Sequence, residues 1–427
     1  MGAHSAKRQT LLLTAVNTFV RALGLVMRVH LSRILGAEIM GIAELCSGVH
    51  MLAITPLTSG LPLAISRMTA KAKKEHKEMP LLAGIMLVRK ASLVLIPALL
   101  LLSPALARVM GDARVLPSLW LTAPCILILG YSAVYNGYCY GMEKSWVPAI
   151  SELIEQVVRF ALSIGLVMAL TRLVVPWLAA VPVFATMVAE LLGLCYVLWL
   201  LKIPTQGIAR ASSWQKPVFR LAAPTTVIRL INTGLRSLTA IMIPLRLQAS
   251  GLVASEATAR LGMLNGMVMP IVLLPCIFTS ALSMVSLPRL AKAEKNRPEL
   301  RRMLLLCFGA ALGVGLASWG LIELLAPFLA QWVYRLPELS ELFRLAGPLV
   351  LLGALGHIAS GVIAALGHQK RSMYGALATS AITLALTYTL TADPGYRLQG
   401  AILGQSIGQS AMLLWNLAIL WKALRRK

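Results

Sequence analysis

The sequence predicts an all-α, polytopic membrane protein with about twelve transmembrane helices arranged in two six-helix bundles. Three observations predict this fold class. Hydrophobic residues make up 58% of the 427 residues and charged residues only 13%, roughly half the charged fraction of an ordinary soluble domain. Apolar segments of about 20 residues, the length that crosses a bilayer, follow one another along the chain. Short motifs of the first half recur in the second half in the same order.

Twelve apolar segments are predicted to span the membrane. They cover residues 10–31, 39–66, 90–108, 116–141, 147–170, 173–201, 218–247, 261–287, 303–330, 344–367, 372–391 and 398–421. Prolines within these segments, among them Pro270 and Pro275, predict kinks, because proline removes a helical hydrogen bond. The connections are short and leave little room for an extramembrane enzyme domain.

The internal repeat divides the chain into two halves. Thr58-Ser59-Gly60-Leu61 corresponds to Thr279-Ser280-Ala281-Leu282, and Ala123-Pro124 corresponds to Gly347-Pro348. The turn that starts at Gly141 likewise corresponds to the turn that starts at Gly367. We therefore expect an N-terminal bundle over residues 1–201, a cytoplasmic linker over 202–217 and a C-terminal bundle over 218–427. Parallel repeats of this kind enclose a substrate cavity in transporters.

Basic residues are distributed unevenly over the predicted loops. The N-terminus, the even-numbered loops and the C-terminus hold about 26 of the 40 Lys and Arg residues, whereas the odd-numbered loops hold about nine. Positive loops stay on the cytoplasmic side, so both termini are predicted to be cytoplasmic. The net charge of +24 therefore indicates topology signals that attract anionic membrane lipids, and no nucleic-acid partner is expected.

Two stripes of polar residues carry the clearest functional signal. The first predicted span contains Asn17, Arg21, Gly24 and Arg28, and the seventh contains Thr225, Arg229, Asn232 and Arg236. Both stripes have the spacing i, i+4, i+7, i+11, which places their members on one face of a helix. A charge at bilayer depth must face protein or water, and a guanidinium group matches phosphate geometry. We predict that these residues, with the exception of Gly24 and Thr225, bind an anionic substrate. The alternative is that arginines near the helix ends, such as Arg28 and Arg229, extend to the membrane interface.

Acidic residues within the spans are candidates for ion coupling. Glu152, Glu155 and Arg159 lie on one face of the fifth span, where they form either an internal ion pair or a site for Na⁺ or H⁺. Glu190 and Glu44 stand alone in apolar surroundings. Each could bind a proton or pair with an arginine.

The remaining reactive residue types suggest no chemistry. The six cysteines lie in or near apolar segments without metal-binding spacing and are expected to be small buried residues. His50 and His357 have no second ligand at a suitable spacing, so each is expected to be a hydrogen-bonded residue within the membrane. No nucleotide-binding loop or nucleophile motif is present. We therefore expect a transporter without a cofactor or metal rather than an enzyme.

Three runs of sequence resemble the multidrug/oligosaccharidyl-lipid/polysaccharide exporter superfamily, in the branch that holds stage V sporulation protein B and the lipid II flippases. These runs are FVRALGLVMRVHLSRILGAEIMG (19–41), SGLPLAISRM (59–68) and ISELIEQVVR (150–159). The resemblance covers nearly the whole chain. It implies a V-shaped core of two bundles that moves an undecaprenyl-pyrophosphate-linked sugar outward across the bacterial cytoplasmic membrane.

In flippases of this superfamily, arginines of the first span line the cavity, which implies that role for Arg21 and Arg28. Their spacing is seven residues here and six in some flippases. Arg236 is the expected counterpart in the second half. Many members of the branch add two C-terminal helices that hold the lipid tail. This chain ends after the twelfth predicted span, at Lys427, so the resemblance does not imply how the tail is held.

The sequence therefore predicts a flippase for a lipid-linked peptidoglycan precursor, used in synthesis of the spore cortex. Membrane lipids and cell-wall synthesis enzymes are the other expected partners. One alternative is a multidrug or cation antiporter of the same superfamily, although 6% aromatic residues and an arginine-rich cavity do not favour it. Another is a membrane scaffold for cell-wall enzymes that transports nothing.

Overall fold

The computed structural model describes residues 3–170, 174–201, 208–293 and 296–425, and this part of the chain contains no β-strand. In chain order the α-helices are α1 (Ala3–Thr58), α2 (Gly60–Lys71), α3 (Met79–Met110), α4 (Leu116–Gly141), α5 (Trp146–Ala169), α6 (Val175–Leu201), α7 (Ile208–Ala249), α8 (Ala254–Leu261), α9 (Met269–Val272), α10 (Cys276–Ala293), α11 (Arg297–Phe328), α12 (Leu339–Ala346), α13 (Pro348–Ala365), α14 (Gln369–Leu390) and α15 (Arg397–Arg425). Short 3₁₀ helices cover Lys74–His76 and Ala113–Val115, and π-helical turns cover Gly262–Val268 and Leu329–Val333.

The prediction of a loop between the first two spans is wrong, because helix α1 continues through these residues. Only Gly36 departs from helical geometry, with φ 75° and ψ 174°. This backbone region is accessible almost only to glycine. A single glycine thus separates the first predicted span from the second, which itself ends at Thr58 and resumes as α2 after Ser59.

Other predicted boundaries are displaced because the helices begin earlier than predicted, α3 with an apolar segment and α7 with a polar one. The third span begins at Met79 rather than at residue 90, and α7 begins ten residues before the predicted seventh span. The predicted eighth span is broken: residues 254–272 and 276–287 are bent by 51° at a three-residue break. Pro275 closes this break, as expected for a residue that cannot continue the helical hydrogen bonds. The fourth predicted span matches α4 residue for residue.

Length and composition single out candidate membrane-spanning helices. Among the described residues, seven helical stretches are long and apolar enough to cross a membrane, or eight when the bent pair is counted as one span. The longest, 16–71, contains the second predicted span and most of the first. α5, α7 and α15 fall outside this set because of their polar residues, which include three charged side chains in α5. The chain is an all-α polytopic membrane protein, and its elements are consistent with twelve spans.

The chain forms two compact units, Met1–Ser237 and Leu238–Lys427. The boundary lies within α7, whose first thirty described residues belong to the N-terminal unit. Of the predicted linker 202–217, residues 202–207 lie outside the described part of the chain, and the rest begins α7. The division at residues 201 and 218 stays a prediction.

Small residues hold the helices of the N-terminal unit close together. A Cβ atom on Gly137 of α4 would lie 2.6 Å from the carbonyl oxygen of Pro62 in α2, and one on Gly60 would lie 2.1 Å from that of Ala222 in α7. Helices within a membrane associate largely through such close contacts. The repeated motif that contains Gly60 therefore marks the contact of α2 with α7.

In the C-terminal unit, three glycines of α15 form the contact with α14. Gly400, Gly404 and Gly408 lie four residues apart, and Cβ atoms there would lie within 3.0 Å of Leu390, Thr387 and Thr383. An apolar cluster packs α10, α11, α13 and α15 together at the other end of α15. This cluster includes Leu290, Leu304 and Leu420.

Candidate functional site

Both predicted polar stripes lie on helices of the N-terminal unit. Asn17, Arg21 and Arg28 project from α1, and Arg229, Asn232 and Arg236 project from the part of α7 that precedes Leu238. A hydrogen bond joins α7 to α1 directly after Arg236: the hydroxyl of Ser237 donates to the carbonyl of Gly48 over 2.7 Å. Gly234 of α7 also lies beside the side chain of Leu52.

Three of the four stripe arginines are exposed and have no carboxylate partner among the described residues. Arg21, Arg229 and Arg236 are exposed, and none of them forms an ion pair within the described part of the chain. Asn17 is also exposed, and Asn232 is half-buried. Within a hydrophobic helix such charges require water, a headgroup or an anionic ligand. These three arginines are therefore available to bind an anion.

Arg28 differs from the other three arginines because it forms an ion pair with Glu44, farther along α1. Both residues line a cavity of about 350 Å³ inside the N-terminal unit. His50, Arg159 and Glu190 also line this cavity, together with apolar side chains. Of the two alternatives considered for Glu44, the structure contains the pair with an arginine, and ion coupling by Glu44 stays a prediction.

The second ion pair of the cavity joins α5 to α6. Arg159 donates from Nη2 to Oε1 of Glu190 over 3.1 Å and from Nη1 to Oε1 of Gln156 over 3.3 Å. Arg159 is a quarter exposed and Glu190 less so. The internal ion pair considered for α5 is therefore formed with a different helix, because Glu190 approaches Arg159 from α6.

Glu155 is buried and forms no ion pair within the described residues. Its Oε1 accepts a hydrogen bond of 2.7 Å from the hydroxyl of Ser151, one turn earlier in α5. The carboxyl group also lies against Gly193 of α6, where a Cβ atom would be 2.2 Å from Oε1. Glu152, in contrast, is exposed and does not line the cavity. Of the acids considered for ion coupling, Glu155 is the buried one for which the described residues provide no ion pair with an arginine.

Several residues around Glu155 and Arg159 cannot be recognised as site residues from the sequence. Ser151 and Gln156 look like ordinary helix residues, and Gly193 looks like one of many small residues in an apolar span. Nε2 of Gln156 and Nε of Arg159 are buried without a hydrogen-bond partner among the described residues. Only the i, i+4 spacing of Ser151 and Glu155 indicates that these two side chains can meet on one helix face. The approach of Gly193 could not be inferred without the packing of α5 on α6.

The two histidines make equivalent contacts in the two units. Nδ1 of His50 lies 3.2 Å from Oγ1 of Thr122, and Nδ1 of His357 lies 3.4 Å from Oγ1 of Thr279. Each threonine hydroxyl already donates to a backbone carbonyl, that of Ser118 or Cys276. The histidine must therefore be the donor in each pair. Both histidines are hydrogen-bonded, as the sequence predicted.

The C-terminal unit has a second polar region of different character. Arg260 of α8 forms ion pairs with Glu256 and Glu338, and Gln399 of α15 donates to Glu341 over 3.1 Å. Arg344 lies 3.7 Å from Glu323, and both of these side chains are about half exposed. No group of three potential metal ligands lies together among the described residues. Five of the cysteines are buried thiols and Cys195 is exposed.

Comparisons with known proteins agree on family and fold. A profile of the family described as polysaccharide biosynthesis protein matches residues 6–294. Stage V sporulation protein B of Bacillus subtilis (strain 168) is 26% identical over 448 aligned positions, which cover 99% of this chain and 85% of that protein.

Two solved structures show the same fold at low sequence identity. A multidrug resistance MATE family transporter of the MOP superfamily, in an inward-facing conformation, superposes with a TM-score of 0.80, 15% identity and coverage of 98% of this chain and 99% of that one. The lipid II flippase MurJ, in an inward closed conformation, gives a TM-score of 0.74, 14% identity and coverage of 97% and 89%. The all-α fold and the resemblance found in the sequence are thereby confirmed.

Proposed function

We propose, because the chain belongs to the polysaccharide biosynthesis protein family, that it moves an undecaprenyl-pyrophosphate-linked oligosaccharide across the membrane by alternating access. A transporter of this kind needs no covalent chemistry of its own. It must bind the charged headgroup within the membrane and release it on the other side, while the lipid tail remains in the bilayer.

One observation carries this proposal: Arg21, Arg229 and Arg236 are exposed on helices α1 and α7 and lack ion-pair partners in the described residues. A pyrophosphate offers several oxygen acceptors to the donors of a guanidinium group, and paired N–H···O bonds give both affinity and orientation. Asn17 and Asn232, on the same helix faces, can donate to the sugar or to the phosphates. Arg28 is held by Glu44 and takes part only if that ion pair opens.

The names of the relatives support a finer assignment. Stage V sporulation protein B carries sporulation in its name, and MurJ is titled a lipid II flippase. These names support a peptidoglycan precursor as substrate and the spore cortex as setting. We place the protein in the bacterial cytoplasmic membrane with both termini in the cytoplasm, as the asymmetry of basic loops indicates. Cell-wall synthesis enzymes that supply or use the precursor are its expected partners.

The charges inside the N-terminal cavity do not favour a drug antiporter. Glu44 and Glu190 are the acids that line it, and both form ion pairs with arginines. A site for organic cations needs acids free to bind the ligand, so the exposed arginines are the better guide to substrate charge.

Reconstituted flipping tests the proposal directly. The assay uses proteoliposomes that contain a lipid-linked precursor. Arg21→Ala and Arg236→Ala should each reduce the flipping rate at least tenfold, because loss of a hydrogen bond to a charged group weakens substrate binding by about 1.5–3 kcal/mol. Arg108→Ala is the matched control, because Arg108 is an exposed arginine of the same unit outside both stripes. Flipping by Arg21→Ala and Arg236→Ala at the rate of this control would refute the role of the stripes. Absence of flipping in the wild-type protein would favour the alternative that the protein is a membrane scaffold for cell-wall enzymes and transports nothing.

Ion coupling is proposed for Glu155, the buried acid that accepts a hydrogen bond from Ser151 and forms no ion pair in the described part of the chain. Glu155→Gln keeps the shape of the side chain and removes the charge. We expect this variant to flip substrate at a rate that no longer depends on an imposed Na⁺ or H⁺ gradient. Glu152→Gln is the control, since Glu152 is exposed and outside the cavity. An unchanged gradient dependence in Glu155→Gln would exclude Glu155 as the coupling residue.

A further inference from the structure

A basic surface groove lies at the start of α11 in the C-terminal unit. It has a volume of about 670 Å³ and is lined by Arg297, Arg301 and Arg302 together with Pro298, Leu305 and Leu306. None of these residues belongs to the polar stripes or to the N-terminal cavity. The groove is open and follows the first three turns of the helix.

The arginines of the groove differ in how they are held. Arg297 donates from Nη1 to the backbone carbonyl of Leu424 and thereby joins the start of α11 to the end of α15. Arg301 and Arg302 are exposed and form neither an ion pair nor a hydrogen bond within the described residues. The nearest acid in the sequence of this helix, Glu299, is held by Nδ2 of Asn296 over 3.1 Å. Two guanidinium groups of the groove are thus left to bind an external anion.

Apolar side chains continue the groove directly from the arginines. Leu305 is 66% exposed and Leu306 is 63% exposed. They follow Arg301 and Arg302 at i+4, so each leucine lies about 6 Å farther along the helix on the same face as its arginine. Charge followed by hydrocarbon over one helical turn matches the change from headgroup to acyl chain at a bilayer surface.

The neighbouring end of α15 has the composition of a membrane interface. Trp421 is half exposed, and the guanidinium carbon of Arg425 lies 3.7 Å from the centre of its ring. Tryptophan prefers the headgroup level of a bilayer. The hydrogen bond from Arg297 to Leu424 places this aromatic residue and another cation close to the groove.

We propose that this groove binds an anionic phospholipid of the bilayer. Arg301 and Arg302 hold its phosphate, and the acyl chains lie along Leu305 and Leu306. The lipid is a resident of the membrane and not the transported molecule, so the site stands independently of the proposed substrate. Its occupation would hold α10, α11 and α15 together where their ends meet.

Lipid retention measured by native mass spectrometry tests this site. The full-length protein is incubated with palmitoyl-oleoyl phosphatidylglycerol or with the corresponding phosphatidylcholine, and bound lipid is counted after release from detergent. The wild-type protein should retain the anionic phosphatidylglycerol in preference to phosphatidylcholine. Arg301→Ala/Arg302→Ala should weaken this retention about thirty-fold, because each basic residue near an anionic surface contributes about 1 kcal/mol.

The matched control is Lys370→Ala/Arg371→Ala, which removes the same charge from exposed positions at the start of α14, outside the groove. This variant should retain lipid like the wild type. Leu305→Gln/Leu306→Gln tests the apolar wall without changing charge and should also weaken retention. Equal retention of both lipids by the wild-type protein, or equal loss in the control, would overturn the proposal. Displacement of the lipid by inorganic phosphate alone, with the apolar variant unaffected, would identify a phosphate site instead.

Discussion

At the scale of single residues, partners distinguish arginines that look alike in sequence. Arg21 and Arg28 belong to one stripe of α1, yet Arg28 pairs with Glu44 while Arg21 is exposed without an ion-pair partner in the described residues. A paired arginine contributes to the structure of the N-terminal cavity, and an arginine without such a partner can bind ligand. Substitutions at the two positions are therefore expected to have different consequences.

The two members of the ion pair between Arg28 and Glu44 should tolerate an exchange of their positions. Glu44→Gln removes one partner and leaves the guanidinium of Arg28 partly buried, which should lower stability by about 1.5–3 kcal/mol. The double change Arg28→Glu/Glu44→Arg restores opposite charges and should recover most of the thermal stability of the detergent-solubilised protein. If the single variant melts at the wild-type temperature, the ion pair contributes nothing to stability.

At the scale of helices, glycines decide how closely the elements approach. Gly137 allows α4 to contact the backbone of α2, whereas nothing lies within 4 Å of a Cβ atom on Gly165 in α5. A side chain at the first position must separate two helix backbones. At the second position it occupies open space.

Gly137→Ala should therefore destabilise the N-terminal unit by about 1–3 kcal/mol, the usual effect of overpacking. Gly165→Ala is the control and should be neutral or stabilising by up to about 1 kcal/mol, because alanine is the better helix former. Melting temperatures of the two variants give the comparison. Equal melting temperatures would show that α2 and α4 are farther apart than the structure indicates.

At the scale of the whole molecule, the asymmetry of basic loops predicts orientation. Glu75 lies in the basic second loop and Ala113 in the third, and both are exposed. In a Cys195→Ser background, where the remaining cysteines are buried, Glu75→Cys and Ala113→Cys introduce single accessible thiols. An impermeant maleimide should label Ala113→Cys from outside intact cells and Glu75→Cys only after permeabilisation. The opposite labelling pattern would show that the protein has the opposite orientation in the membrane.

The sequence by itself determined the fold class, most helices and the arginine stripes. Hydropathy and length suffice for α4, because an apolar segment in a membrane must satisfy its backbone hydrogen bonds internally. Helical spacing likewise suffices to place Arg229 and Arg236 on one face of α7. The two histidines were also predicted correctly as hydrogen-bonded residues.

Only the tertiary structure decided which polar groups meet. Glu190 lies 31 residues after Arg159 and pairs with it because α6 packs on α5, and Gly193 brings α6 against Glu155. The single-residue break at Gly36 and the assignment of most of α7 to the N-terminal unit were equally hidden. Hydropathy and periodicity report the environment of each helix face, whereas pairing depends on contacts between helices distant in sequence. The sequence therefore shows where charge enters the membrane, and the packing of helices decides which of those charges remain available to a ligand.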